Sequence, residues 1–158
     1  MQKLEAVEEA RTLMLEAKEW SVWKWLTEKR RVREAADRAN EALDKRARAV
    51  QKTWSEELQQ AYRELEAADP EGSHHRHPRK SDHEIVVSAE ARALAKRLKQ
   101  ADDAAYDARM LAEQTFADAE ARLSTSLARE GTVQAIDSWD LKLKAIRKSE
   151  AAVPSRTE

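Results

Sequence analysis

Apolar residues recur along this chain with a helical period in three runs, separated by polar punctuation. The first run, from Gln2 to Ala68, contains neither glycine nor proline. Ala36, Asn40, Leu43, Ala47, Val50, Trp54, Leu58, Ala61, Leu65 and Ala68 follow one another in steps of four and three. The two four-residue steps from Val50 through Trp54 to Leu58 form a stutter, which locally unwinds a supercoil. Upstream, Leu4, Val7, Met14, Val22, Trp25 and Val32 continue the same face. Arg11, Lys18 and Lys29 interrupt it, but their long stems can lie on apolar surface with the charge in water. The pattern predicts one helix over 2–68, roughly 100 Å long at ~1.5 Å per residue.

Asp69-Pro70-Glu71-Gly72 ends this run, since proline disfavours the α region before it and glycine permits a reversal. A polar loop over 69–81 follows. Ser81-x-x-Glu84 has the form of a capping box and opens a second helix, expected over 82–128. Its stripe is Val87, Ala91, Leu94, Leu98, Ala101, Ala105, Ala108, Ala112, Phe116, Ala119, Leu123 and Leu127. A seam with so many alanines lets two helix axes approach closely and suits an antiparallel pair. Gly131 is expected as a helix stop and Thr132 as the next N-cap. A third helix over 132–152 then carries Ile136, Trp139, Leu143 and Ile146 on one face, with Pro154 beyond its end.

The fold class these elements define is all-α: a long antiparallel coiled-coil helical hairpin with a short third helix packed at the open end. With the hairpin centred near residue 75, Ala128 falls opposite Trp23. The segment Trp20 to Leu26, WSVWKWL, is apolar nearly all round, with Val22 and Trp25 on the seam and Trp20 and Trp23 facing away. Such a helix is covered on more than one side. Two arrangements meet that need: Trp139 and its stripe cover Trp20 and Trp23, or the aromatics anchor a partner. On the second reading Trp20, Trp23, Trp25 and Trp139 form a partner-binding surface. If the third helix leaves the first helix's N-terminal overhang bare, self-association would cover it.

Composition narrows the chemistry. Charged residues reach 37%, while Leu, Ile, Val and Phe together number only 26 of 158, a balance that fits long helices with a single stripe each. The net charge of −1 gives no overall pull toward nucleic acid or an anionic membrane. There is no cysteine, which excludes disulfides, thiolate metal sites and thiol catalysis. The first residues lack the apolar core of a signal peptide, and no run approaches a membrane span, so a cytoplasmic protein without membrane attachment is expected.

No motif assigns a reaction. Paired E-x-x-H motifs on facing helices, H-E-x-x-H and G-x-S-x-G are missing, and two glycines cannot build a phosphate loop. The expectation is a non-enzymatic scaffold, adaptor or assembly component that needs no cofactor and acts through a protein partner or self-association. Two alternatives rest on particular residues. Arg30, Arg31 and Arg33, with Arg76, Arg79 and Lys80 of the loop, could track phosphates. Acidic neighbours offset them in pairs such as Glu34–Arg38 and Glu41–Lys45. His74, His75, His77 and His83 could hold a metal ion, but fixed cationic charge stands beside them.

Overall fold

The computed structural model describes residues 4–68, 89–124 and 131–154. Those residues form four helices and no strand: α1 (Glu5–Lys18), α2 (Val22–Ala68), α3 (Ala89–Ser124) and α4 (Gly131–Ala151). None is long and apolar enough to cross a membrane.

The helix expected over 2–68 is two helices, broken at Glu19-Trp20-Ser21. Glu19 keeps a right-handed helical conformation, and α1 closes as the Glu19 amide donates to the Glu16 carbonyl and the Trp20 amide to the Ala17 carbonyl. Ser21 restarts the chain as an N-cap. Its hydroxyl accepts the Lys24 amide at 3.2 Å, and its carbonyl accepts the Trp25 amide at 2.9 Å. A cap therefore achieves what glycine or proline usually does. Beyond the break α1 folds back along α2, since Arg31 shares a surface cleft with Glu8, Glu9, Thr12, Leu13 and Glu16 of α1. The apolar face of α1 (Val7, Ala10, Leu13, Met14 and Ala17) is buried, so no bare overhang exists.

α2 and α3 pack together along most of their length. They run antiparallel, because Arg97 meets Glu57 and Glu64 while Thr115 lies 3.5 Å from Asp44. These pairs have midpoints between residues 77 and 81, not at 75, so α3 reaches less far toward Trp23 than expected, and α1 takes that place. α4 packs against α2, α1 and, more lightly, α3. It runs parallel to α2, with Trp139 bonded to Asn40 and Glu150 to Arg46.

The predicted seams hold apart from two exchanges and two positions that face outward. Thr115 is buried and Phe116 is 40% exposed, because the alternation of four and three runs 101, 105, 108, 112, 115, 119. The Thr115 hydroxyl satisfies itself by donating to the Ala112 carbonyl at 3.0 Å, which lets a polar side chain occupy the seam. Glu57 is buried where Leu58 was expected, and Ala68 is exposed. Val22, expected on the seam, is exposed at the first residue of α2, beside the break. Gly131 and Thr132, expected as stop and cap, are the first two residues of α4, with Thr132 buried. Proline 70 and its neighbours, the Ser81 capping box, Val87 and Leu127 lie outside the described residues.

Candidate interaction surface

The four candidate tryptophans separate into three that build the core and one that does not. Trp139 is buried, and its indole N–H donates to Asn40 Oδ1 at 3.0 Å. That bond joins α4 to α2 inside the core, where the other Asn40 amide atom, Nδ2, has no hydrogen-bond partner among the described residues. Trp20 is buried at the α1–α2 break, with the Lys24 ammonium 5.1 Å from its ring centroid. Trp25 is buried one turn into α2. All three belong to one cluster with Met14, Val32 and Leu43.

Trp23 is 79% exposed, and beside it on the first turns of α2 Val22 and Leu26 are also exposed. Trp20 and Trp139 share the buried cluster, while Trp23, expected to be covered with Trp20, is left open. Trp23 has the highest fractional exposure among the large exposed hydrophobic residues described. Singly exposed apolar residues are ordinary; here a tryptophan, a valine and a leucine are exposed together at one helix end.

The basic run is largely answered within the protein. Arg30 bonds Glu34 at 3.2 Å and Arg31 lies 3.6 Å from Glu28. Arg33 opposes the rise that burial, with Glu41 and Glu34, imposes on the Asp37 carboxyl. Around Arg31 the cleft of about 350 Å³ also presents Glu8, Glu9 and Glu16. Arg76, Arg79, Lys80 and the histidines His74, His75, His77 and His83 lie outside the described residues. Among the described residues no group of three or more His, Cys, Asp or Glu could hold a metal ion.

Two further clefts flank the end of α4. One, of about 300 Å³, lies between α2, α3 and α4 and is lined by Trp54, Ala104, Asp107, Leu111 and Lys148. The Trp54 indole N–H donates into the end of α4, to the Ser149 hydroxyl at 3.1 Å and its carbonyl at 3.2 Å. The other, of about 340 Å³, sits beside the Arg46–Glu150 pair, whose two hydrogen bonds both measure 2.7 Å. That carboxylate holds the Arg46 guanidinium above its ordinary pKa, against the opposing effect of burial. Both clefts read as seams between packed helices.

Residues that matter to the architecture but were not singled out in the sequence are Ser21, Glu57 and Arg97. Arg97 grips Glu57 and Glu64 together, and its guanidinium is raised chiefly by the hydrogen bond to Glu57. Glu57 sits three residues after Trp54 and four before Ala61, a spacing that places it on the seam. No protein-family model, curated protein or solved structure matches this chain.

Proposed function

We propose that this protein is a non-enzymatic helical scaffold or adaptor that works through protein–protein contact. On this reading α2 and α3 form a coiled-coil-like hairpin and the α1–α2 corner presents the contact group. The observation that carries it is the exposure of Trp23, with Val22 and Leu26 beside it, on a corner whose other two tryptophans are buried. Tryptophan is enriched among binding anchors, and the backbone that carries Trp23 sits beside the buried Trp20 and Trp25. Internal pairing of Arg30 and Arg31 weighs against phosphate tracking as the main activity.

The test is affinity capture from source lysate with the wild-type chain and Trp23→Ala, each with and without nuclease. The expected result is a stoichiometric protein that survives nuclease and is lost with Trp23→Ala. Material that is removed by nuclease and indifferent to Trp23 overturns the proposal in favour of the basic face. Because Trp23 is exposed, the variant keeps its stability to within about 0.5 kcal/mol.

A further inference from the structure

The break between α1 and α2 is chemically unusual. Glu19, Trp20 and Ser21 include neither glycine nor proline, and Glu19 already has helical angles of φ −94° and ψ −2°. Nothing in these three residues forbids a continuous helix. The bent form is kept by the Ser21 cap, by burial of Trp20 and by what α1 packs on. Everything α1 packs on could come equally from a second copy of the chain. Its apolar face meets α2 and α4, and Arg11 pairs with Asp140 at 3.2 Å.

Charge makes the match directional. α1 carries Glu5, Glu8, Glu9 and Glu16 against Arg11 and Lys18. The part of α2 from Lys24 to Arg38 carries six bases against three carboxylates. An acidic helix thus seats on a basic one, and an exchanged helix would find the same complement.

We propose that α1 is an exchangeable element: in a pair of chains the Glu19–Ser21 segment straightens, and each α1 packs on α2 and α4 of the other copy. The exchanged pair keeps every α1 contact of the closed chain and gains helical hydrogen bonds at the hinge. It gives up two serine caps and the freedom of one molecule, so the balance depends on protein concentration. This inference rests on the hinge and on α1, and is independent of what Trp23 binds.

Two variants drive the equilibrium in opposite directions. Ser21→Ala removes a cap that only the bent form uses. With two caps given up per dimer, roughly 30-fold tighter dimerisation is expected. Val22→Pro suits the bent form, where residue 22 is the first helical position, and blocks a continuous helix. It should leave the chain monomeric from micromolar to millimolar concentration, as read by light scattering after size exclusion. Exchange itself is read by mixing Arg11→Cys with Asp140→Cys chains and adding a short bis-maleimide, in a protein that has no other cysteine. The double variant at low concentration, linked within one chain, establishes that the two positions are in reach. Linked pairs from the mixture, increased by Ser21→Ala and abolished by Val22→Pro, are the expected result. Three outcomes overturn the proposal: Ser21→Ala chains monomeric at millimolar concentration, dimers with no link between copies, or dimerisation untouched by Val22→Pro.

Discussion

The two ends of α2 solve the same packing problem with different materials. Near its start α2 is covered by α1 and α4, and bulky side chains fill the space: Met14, Trp20, Trp25, Val32, Leu43 and Trp139. Beyond Trp54 the contiguous core stops, and among the described residues α2 faces α3 alone across Ala61, Leu65, Ala91 and Ala101. Two helices offer one shared groove, so small residues must bring the axes close. There the fixed point is polar, with Arg97 between Glu57 and Glu64. The three-helix end is stabilised by area removed from water; the two-helix arm relies more heavily on one charged clamp. Stability should therefore be graded along α2, with the arm opening at lower free energy than the end.

The comparison breaks most readily at Trp139. Trp139→Ala should cost about 3–5 kcal/mol in denaturant unfolding, from a cavity in the core and an Asn40 carbonyl left without its donor. A cost below about 1 kcal/mol would mean that α4 is an accessory to the core.

On the arm, Arg97→Ala removes the guanidinium that grips the Glu57 carboxylate, which is only 3% exposed. The expected loss is about 2 kcal/mol, below the ~3–5 of a fully buried pair because Arg97 is itself about one-third exposed. Hydrogen exchange should quicken over Glu57–Leu65 and stay unchanged over Val7–Ala17. Replacing both partners, as Glu57→Leu with Arg97→Met, should recover most of the loss. If exchange rises equally at both ends, the division between them is wrong.

Phe116 sharpens the picture on α3. It lies 4.5 Å from the Arg48 guanidinium at the surface, so Phe116→Ala should cost only about 0.5–1 kcal/mol. A seam phenylalanine would cost several times more.

The smallest effect concerns Asp37, whose carboxyl is raised by burial and by Glu41 and Glu34, with Arg33 opposing. A raised carboxyl means that the folded chain holds that proton more tightly than the unfolded chain. Ionised Asp37 therefore costs stability at neutral pH, and the cost vanishes as pH falls below the ordinary value of about 3.8. Asp37→Asn should raise the Tm slightly at pH 7 and lose that advantage in acid. A gain that persists at low pH would trace the effect to something other than this titration.

Much of the helical scheme was legible in the residues. The stripe from Ala36 to Val50 and the alanine seam of α3 follow directly from spacing, because burial on a helix repeats with its turn. The corner was not legible, since a reader alert to glycine and proline passes over a serine cap. The Thr115 exchange was hidden for a related reason. Phenylalanine is the more apolar of the two neighbours, yet a threonine that bonds its own helix can hold a seam position. Register escaped because an alanine seam fits almost equally well a few residues either way, and the Arg97 clamp that fixes it joins residues forty apart. The tryptophan-rich segment was legible as an unusual stretch, but only folding decided that Trp20 and Trp25 would be buried and Trp23 left outside.

That sorting of indoles has an optical consequence. Of five tryptophans, Trp20, Trp25, Trp54 and Trp139 are in the protein interior and Trp23 is in water. The emission envelope should therefore be a blue band carrying one red shoulder. Iodide, which cannot enter the core, should extinguish the shoulder and leave the band. The intact, unlabelled chain thus carries a chromophore at its own corner, and a partner seated there as proposed should shield that chromophore from iodide.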